Sequence, residues 1–484
     1  MVSCEQIVNL ISRQFLIQPF VIFKVGTTVK ESAIGGASVL KKIRIAAGAG
    51  YAGDRIEPAI DIIKRGNVDY LIFECLAERT IAMAQQEKRA NPNKGYNSLL
   101  EYRFEKIAPL LKTCPVKIIT NMGAANPLAA AEKISEIALA HRMHNIKVAA
   151  IIGDDVLSQI TAYYDLSMLE TKGNLGSISD KIISANAYIG GECISSALAQ
   201  GADIVVTGRV ADPCLVSGPL MYEFGKSYDN FDFVGKCILA GHLLECAGQV
   251  TGGYFADPGI KDVPELWDLG FPILTFDENG AMLLEKLPET GGIVSAMTVK
   301  EQLLYEIQDP KKYITPDVVA DFSNVMLTDL GNDKVLITGA CGTFPTGSYK
   351  VSVGYMDGWI GEGEISYGGH NALARAKLAG QIIRKRLEVL DFPTRELRIE
   401  IMGANSLYKE ALPTAEEPVE VRLRVSARTD TSQLARVIGS EVEALYTNGP
   451  AGGGGARGYI HEVVAIASIL IPRDSVKPYI KWVS

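Results

Sequence analysis

The chain has 484 residues, of which 47% are hydrophobic and 21% are charged, and its formal net charge is −8. This composition supports a sizeable folded core and excludes a disordered chain, and the length suggests two to four domains. The acidic balance and the lack of a long basic run argue against nucleic-acid binding, because binding to phosphates needs a basic surface.

The cysteines and the N-terminus indicate where the protein resides. Eight cysteines are scattered without a C-x-x-C pair, which is typical of reduced thiols in an intracellular protein and not of a zinc site.

The apolar run at residues 14–23 lies between Arg13 and Lys24 and is too short to span a bilayer. Pro19 interrupts the run, and no clean signal-peptide cleavage site follows it. We expect a cytoplasmic protein that does not associate with membranes, with residues 1–41 as an N-terminal extension.

Five short apolar runs follow along the chain, each ending in glycine or polar residues before a helical pattern begins. The runs are residues 42–47 (KIRIAA), 70–73 (YLIF), 116–120 (VKIIT), 148–152 (VAAII) and 204–207 (IVVT). Apolar runs that alternate with helices predict βαβ units and a mainly parallel, Rossmann-like sheet in an α/β domain. Because parallel strands end along one edge, we expect the five polar loops to converge on one ligand-binding crevice.

The pattern changes near residues 365–375. The predicted helices and strands beyond this point are helices at 373–387 and 431–445 and strands at 397–402, 419–426 and 460–471. Elements in this order suggest a small C-terminal α+β domain with a ferredoxin-like fold. We place the boundary near residues 361–369, which gives a large domain over residues 42–365 and a small one over residues 366–484.

The stretch GAGYAGDR at residues 48–55 contains the glycine pattern of a dinucleotide-binding turn, with Gly48, Gly50 and Gly53. A strand precedes it and a helix follows it, as such a turn requires. Asp54 lies at the predicted start of the helix, where it would satisfy the N–H groups that a phosphate needs. We favour a capped glycine turn and keep a phosphate-bearing ligand, such as NAD or FAD, as the alternative.

Several long motifs in the same order resemble the AtuA family, which is named for acyclic terpene utilisation. They are GAGYAGDR, DYLIFECLAERTIA, NMGAANP, GDD, TGRVADP and GHLLECAGQVTGGYF. The similarity runs from about Lys42 to the C-terminus. It implies a large N-terminal AtuA domain, a smaller AtuA-like ferredoxin-fold domain, and a setting in the breakdown of branched acids and their thioesters. It implies no catalytic mechanism, which therefore has to be argued from the residues.

Four side chains are the catalytic candidates, namely Asp212, His242, Glu245 and Glu74. In TGRVADP, Asp212 would act as a base, and Arg209 would bind a substrate carboxylate in two hydrogen bonds. The alternative is an internal Arg–Asp pair. His242 and Glu245 share one helix face and would form a proton-transfer pair, or else an ordinary helix-end ion pair. Glu74 follows the second strand in ECLAERT, and its pKa would rise if it were buried.

Other residues at the strand ends are predicted to bind substrate. They are Asn121, Asn126, Gly48, Gly50, Gly53, Gly190, Gly191 and Arg457. Asn126 precedes a proline and is also typical of a helix cap, and the N–H groups of Gly190 and Gly191 would suit an anion. Arg457, in a glycine-rich loop at residues 447–458, would close over an anionic substrate.

The sequence does not decide which cofactor or metal ion the protein binds. Asp154 and Asp155 follow the fourth strand, where such a pair either holds Mg²⁺ or caps the next helix. We assign no metal site, and we leave a CoA thioester or a divalent cation as open ligands.

Known catalytic motifs for triad hydrolysis, P-loop phosphoryl transfer and zinc proteolysis are missing from the sequence. The acids, arginine and glycines at the strand ends predict an acid–base enzyme, a hydratase-type lyase or an isomerase. The resemblance to the AtuA family implies that its substrate is a branched or terpenoid carboxylic acid or its acyl-CoA. The alternatives are a nucleotide- or CoA-binding protein and a non-catalytic subunit of a hetero-complex. We expect a homo-oligomer, with a small partner subunit as the alternative assembly.

Overall fold

The structure is a computed structural model, and it describes residues 40–409 and 418–483. These residues form two compact units, each made of separate stretches of the chain. The first unit contains residues 40–160, 186–352 and 470–483, and the second contains residues 161–185, 353–409 and 418–469. Nearly all of the predicted extension at residues 1–41 lies outside the described residues.

The described strands and helices are as follows. The strands are β1 (Lys42–Ala49), β2 (Tyr70–Phe73), β3 (Lys117–Thr120), β4 (Val148–Ile152), β5 (Ile182–Ala187), β6 (Ile204–Thr207), β7 (Pro272–Asp277), β8 (Met282–Lys286), β9 (Tyr313–Ile314), β10 (Val319–Asp321), β11 (Met326–Asp329), β12 (Lys334–Thr338), β13 (Cys341–Thr343), β14 (Ser348–Gly368), β15 (Glu396–Met402), β16 (Glu420–Thr429), β17 (Gly454–Pro472) and β18 (Tyr479–Val483). The helices are α1 (Glu57–Arg65), α2 (Glu78–Ala90), α3 (Leu100–Leu111), α4 (Pro127–Ala140), α5 (Glu192–Ala199), α6 (Cys214–Phe224), α7 (Phe231–Leu244), α8 (Ala296–Leu304), α9 (Ala372–Val389), α10 (Ser432–Glu443) and α11 (Leu445–Asn448).

The first unit is built on a ten-stranded mixed sheet in the order β11-β12-β8-β7-β1-β2-β3-β6-β4-β18. Its five central strands, β1, β2, β3, β6 and β4, are parallel, and they contain all five apolar runs predicted from the sequence. Antiparallel strands extend the sheet on both sides. The expectation of a mainly parallel sheet is therefore corrected to a mixed sheet, whose antiparallel strands were not predicted.

The parallel strands are mainly apolar because both of their faces are covered, and their charged residues lie near the strand starts. Strands β2 and β6 are completely buried. The core beside the sheet contains Ile62 from α1, Phe104 from α3 and Ile134 from α4. This packing fixes the carboxyl ends of the five strands along one edge.

A small three-stranded sheet, β13-β10-β9, packs against α7 in the same unit. The packing is close at Gly235 of α7, where an added Cβ atom would lie 2.2 Å from the Cys341 carbonyl oxygen. It also brings the rings of Tyr313 and Phe322 against His242, near the end of α7.

The second unit contains a five-stranded sheet with the order β15-β16-β14-β17, and β5 pairs with β14. Helices α9 and α10 contribute Ala376, Ile383 and Ile438 to a core with Ile365 and Val425 of the sheet. The predicted helices and strands of the C-terminal region all occur, with ends that differ by a few residues. The predicted boundary near residues 361–369 falls in and just after the long strand β14, and the division into two family domains there stays a prediction.

Within the part of the chain that the structure describes, every helix is too short or too polar to cross a bilayer.

Candidate functional site

Side chains from four of the predicted loops meet at the carboxyl edge of the parallel strands. The Asp154 carboxylate accepts a hydrogen bond of 2.9 Å from the backbone N–H of Arg209. The Glu74 carboxylate accepts one of 2.9 Å from the side-chain amide of Asn121. The Arg209 guanidinium links the two pairs, since it donates to the Leu76 carbonyl at 2.8 Å. Four of the five loops that were predicted to converge are therefore joined by these hydrogen bonds.

These four side chains are buried, and their hydrogen bonds go to the protein itself. Asn121 accepts from the Cys75 N–H at 2.7 Å, and the Arg209 guanidinium also donates to the Val210 carbonyl at 2.8 Å. Arg209 is 1% exposed. The cluster is therefore a closed internal network, in which polar groups predicted to bind substrate are hydrogen-bonded within the protein.

Asp212 is the member of this edge that remains accessible, with 37% of its side chain exposed. It forms an ion pair with the guanidinium of Arg209. Burial raises the pKa of Asp212 to about 7; Arg209 acts to lower it, and the charges of Glu245 and Glu78 act to raise it further. A carboxyl group with this pKa changes its charge near neutral pH.

Asp212 lines a cleft of about 270 Å³. Its other polar lining residues include Glu78, Tyr188, Glu306, Tyr313 and Lys350. None of these five residues was assigned a role from the sequence. Glu78 lies four residues after Glu74 in ECLAERT, and Tyr188 lies two residues before Gly190. Lys350 lies in β14, and no local pattern indicates that it faces a site.

Glu78, Tyr188 and Lys350 form one connected group in the cleft. The Tyr188 hydroxyl donates to the Glu78 carboxylate, and the Lys350 ammonium lies 3.5 Å from the same carboxylate. The Tyr188 ring centre lies 4.6 Å from the guanidinium carbon of Arg209 and 5.0 Å from Lys350 Nζ. Although burial acts to raise it, the pKa of Glu78 is lowered by the Tyr188 hydrogen bond and by both cations. The Glu78 carboxylate and the Lys350 ammonium group therefore line the same cleft as Asp212.

Glu306 adds another carboxylate to the cleft lining, beside Asp212 and Glu78, and its backbone conformation is unusual. Its φ of 59° lies in the left-handed region, which residues other than glycine rarely adopt. Such conformations persist where the surrounding structure enforces them, and they are enriched at functional sites. The Glu306 charge also contributes to raising the pKa of Glu245.

His242 and Glu245 form the predicted pair, with 2.7 Å between His242 Nδ1 and Glu245 Oε1. Burial raises the pKa of Glu245, and His242 opposes that shift. Among the described residues, His242 Nε2 and Glu245 Oε2 have no hydrogen-bond partner. The His242 ring packs 5.2 Å from the ring of Tyr313, and Tyr313 lines the cleft. The pair therefore lies behind the cleft wall and acts on Asp212 through its charge.

Comparison with known proteins gives the family. The family model described as acyclic terpene utilisation family protein AtuA matches residues 43–482. The chain belongs to the AtuA family. This membership connects it with acyclic terpene utilisation.

Two further comparisons add little. No curated protein matches this AtuA-family chain. Among solved structures, the de novo designed protein Ferredog-Diesel is 24% identical over 22% of this chain and 88% of its own, with a TM-score of 0.15. That score is too low to indicate a shared fold.

The glycine turn of this AtuA-family chain closes on itself. The Gly50 N–H donates to Asp54 at 2.9 Å, and the second oxygen of Asp54 accepts from the Arg55 N–H at 2.9 Å. An added Cβ atom at Gly50 would lie 2.4 Å from the Cys246 carbonyl carbon, and one at Gly48 would lie 2.9 Å from the Phe73 ring. Close packing therefore explains Gly50 and Gly48, while Gly53 completes the turn next to Tyr51.

The prediction that Asp54 begins the helix is wrong, because α1 has Ile56 as its N-cap residue. The Asp54 carboxylate instead satisfies N–H groups within the turn that a phosphate would otherwise contact.

The Gly190–Gly191 turn holds a carboxylate that belongs to the protein. The Gly191 N–H donates to Asp317 at 2.8 Å, and an added Cβ atom at Gly190 would lie 1.8 Å from the other Asp317 oxygen. Burial raises the pKa of Asp317, and the Gly191 hydrogen bond opposes that shift. The anion expected at this helix start is thus an internal side chain.

The remaining predicted residues lie apart from the cleft lining. Asn126 caps α4, and its amide donates to the Pro92 and Lys94 carbonyls at 2.7 and 2.8 Å, so the capping interpretation holds. Arg457 is exposed within strand β17 of the second unit, which corrects its placement in a loop.

Asp155 accepts from the Gln85 amide at 2.8 Å and from the Leu157 N–H at 3.0 Å. Across residues 40–409 and 418–483, no three His, Cys, Asp or Glu side chains are arranged to hold a metal ion.

Proposed function

We propose that this chain is an acid–base enzyme of acyclic terpene utilisation that acts on a branched, unsaturated carboxylic acid or its CoA thioester. The reaction is hydration–dehydration, as in a hydratase-type lyase, or movement of a double bond, as in an isomerase. The observation that carries the proposal is the Asp212 carboxyl, which lines the cleft with 37% of its side chain exposed and whose pKa is raised to about 7. Such a group both donates and accepts a proton near neutral pH, as general acid–base catalysis requires.

Asp212 moves the proton in both reactions. For isomerisation, its carboxylate removes a proton from an allylic carbon, and the resulting carboxyl returns the proton at the other end of the allylic system. For hydration, its carboxyl donates a proton to the carbon beside the carbonyl group, a water molecule adds to the neighbouring carbon, and the Asp212 carboxylate takes up the proton that this water loses. The proton count balances in each case, and no redox partner is needed.

Lys350 receives the anionic end of the substrate. Its ammonium group is 43% exposed and lines the same cleft as Asp212. A fixed positive charge at this place would bind a carboxylate or a thioester carbonyl and stabilise the negative charge that develops during proton transfer. Lys350 thus takes the substrate-clamping role first assigned to Arg209, and Arg209 positions Asp212.

The other predicted catalytic residues tune Asp212. Glu245 carries a charge that raises the pKa of Asp212, and His242 holds Glu245 in place. Glu74 is buried beside Arg209, and burial together with the Asp212 charge raises its own pKa.

The finer architecture and the location are part of the proposal. The parallel segment β1-β2-β3-β6-β4 supports a Rossmann-like description of the large domain. The chain order β14, α9, β15, β16, α10, β17 and the sheet order β15-β16-β14-β17 support a ferredoxin-like small domain. Because β14 supplies the first strand of that ferredoxin-like order, the small domain begins before the predicted boundary between residues 365 and 366. We assign the protein to the cytoplasm.

A mass-spectrometric screen of branched unsaturated acids and their CoA esters tests the function. We expect the purified chain to convert at least one of them to a hydrated or isomerised product. The Asp212→Asn variant should lose about 100-fold or more in kcat, because positioned proton transfer contributes at least that much. The matched control is Asp180→Asn, which removes an exposed carboxyl. A folded Asp212→Asn variant that works at the wild-type rate would contradict the proposal.

A further inference from the structure

Asp317 is a buried carboxylate that comes directly after Thr315 and Pro316, two residues that line the cleft. One of its oxygen atoms, Oδ2, accepts two hydrogen bonds. The Gly191 N–H donates to it at 2.8 Å, and the Cys214 thiol donates to it at 3.3 Å. Because Asp317 is only 8% exposed, both donors are held away from solvent. A single oxygen atom therefore joins three segments that are far apart in the sequence.

The other two joined segments also contribute to the cleft lining. Asp212 lies two residues before Cys214, and Tyr188 lies three residues before Gly191. Both Asp212 and Tyr188 line the cleft. The Asp317 carboxylate therefore ties three walls of the cleft together behind their surface.

The two segments that Asp317 holds are also joined to each other through their backbones. The Ala211 N–H, directly before Asp212, donates to the Ile189 carbonyl at 3.0 Å. Gly190 follows Ile189, and an added Cβ atom at Gly190 would overlap Asp317 Oδ1. The glycine turn, the Asp317 carboxylate and the segment that carries Asp212 thus form one continuous contact.

We propose that Asp317 is a positioning residue, which fixes the place of the Asp212 carboxyl in the cleft wall by holding Cys214 and the Gly191 turn. This inference rests on the proposed role of Asp212 in proton transfer. A carboxyl group that moves outward meets more solvent, which favours its charged form and lowers its pKa. It also loses the alignment with the substrate that fast proton transfer needs.

The infrared titration of Asp212 tests this role, with the spectra of Asp212→Asn in the same background subtracted. In Asp317→Ala, the Gly191 and Cys214 donors lose their acceptor and the wall should relax. The midpoint should then fall from about pH 7 by about one pH unit or more. Asp317→Asn keeps an oxygen that accepts both hydrogen bonds, so its midpoint should stay at about pH 7.

Ile134→Ala is the control for a loss of stability alone, because it removes a core side chain of α4 outside the cleft lining. It should leave the Asp212 midpoint unchanged. A folded Asp317→Ala protein that still titrates at about pH 7 would overturn the proposal. An equal fall in Asp317→Asn, or in Ile134→Ala, would also overturn it, because the charge of Asp317 or general loosening would then be the cause.

The titration needs no substrate, so it separates this inference from the proposed function. A midpoint that falls in Asp317→Ala, in a chain that converts no acid or thioester, would support the positioning role and contradict the proposed function. A midpoint that does not move, in a chain that is active, would contradict the positioning role alone.

Gly190→Ala tests the same contact without a change at Asp317, and its titration does not depend on how well Asp317→Ala folds. The added methyl group should displace the Asp317 carboxylate, lower the Asp212 midpoint and destabilise the protein. In the Asp317→Ala background it should cost less stability, because the overlapping oxygen is absent. Chemical unfolding of the four proteins gives this comparison. Equal costs in both backgrounds, or an unchanged Asp212 midpoint in Gly190→Ala, would overturn the proposal.

Discussion

The Asp212 side chain lies between solvent in the cleft and a buried cation. Its side chain reaches solvent in the cleft, and its carboxylate also contacts a guanidinium that is fully buried. Burial and the charges of Glu245 and Glu78 raise its pKa, and Arg209 limits the rise. The balance of these effects keeps one carboxyl group poised near neutral pH.

The balance predicts the effect of removing one neighbouring charge. Glu78→Gln should lower the pKa of Asp212, because the Glu78 charge is one of the causes that raise it. Glutamine keeps an oxygen that accepts the Tyr188 hydrogen bond, so the cleft should keep its shape. The measurement is the infrared titration of the Asp212 carboxyl in both proteins. An unchanged or higher pKa in Glu78→Gln would show that Glu78 does not act on Asp212.

The raised pKa of the buried Asp154 carboxyl should make the stability of the protein depend on pH. Burial raises its pKa from the usual 3.8 to about 6, so between these pH values the folded protein binds more protons than the unfolded chain. Its contribution is therefore present below about pH 4 and is lost as the pH rises through about 6.

In Asp154→Asn, the fall in unfolding free energy between acidic and neutral pH should be smaller than in the wild type, by on the order of 3 kcal/mol. Urea unfolding at both pH values gives the difference. Asparagine keeps an acceptor for Arg209 and Asn186, and Asp180→Asn is the control. An equal fall in all three proteins would contradict the assignment.

At the scale of secondary structure, the five parallel strands were predictable because each is a short apolar run with both faces buried. Their loops were predictable for the same reason, since parallel strands end at one edge. The antiparallel strands β7, β8, β11 and β12 were missed because they alternate or are partly exposed, and local sequence does not reveal their partners. Strand β14 was missed because its glycines resemble a domain linker, whereas Gly361 is needed for close contact with the Ala435 backbone.

The glycine turn gives a prediction about packing. Gly50→Ala should destabilise the protein by about 1–3 kcal/mol, because its Cβ atom would overlap the Cys246 carbonyl group. The control is Gly347→Ala, where an added Cβ atom meets nothing within 4 Å. Chemical unfolding measures both variants. Equal stability of the two would contradict the packing explanation and would favour a ligand-binding role for the turn.

At the scale of the whole molecule, the first unit depends on the last residues of the chain. Strand β18 pairs with β4 at the end of the ten-stranded sheet. Arg473 donates to the Pro316 carbonyl at 2.6 Å and to the Tyr349 hydroxyl at 3.1 Å, and both of these residues line the cleft. The C-terminal segment therefore supports both the sheet and the cleft wall.

Removal of the residues after Val476 should lower the thermal midpoint of unfolding and reduce the yield of folded protein, because it exposes the edge of β4. Differential scanning calorimetry of the shortened and full chains gives the comparison. Lys481→Gln, which changes an exposed side chain of β18 and keeps the strand, should behave as the wild type. A shortened chain with an unchanged midpoint would contradict the structural role of β18.

The sequence predicted that several of these strand-end loops lie together, but not which polar atoms remain available for a ligand. Arg209 and Asn121 have the residue types that bind carboxylates and carbonyls, yet their hydrogen bonds are made within the protein. Asp317 lies far along the chain from Gly191, and only the fold shows that it satisfies the N–H group there. Lys350 and Tyr188 enter the cleft through tertiary packing, which leaves no local pattern in the sequence.

The direct test of the account is the pKa of the Asp212 carboxyl in the folded protein, which needs no substrate. Isotope-edited infrared spectra of protein labelled with ¹³C-aspartate, with the spectra of Asp212→Asn subtracted, isolate this one group during a pH titration. We predict a carboxyl band that disappears with a midpoint at about pH 7. A midpoint near the ordinary aspartate value of 3.8 would contradict the proposal that Asp212 transfers protons at neutral pH.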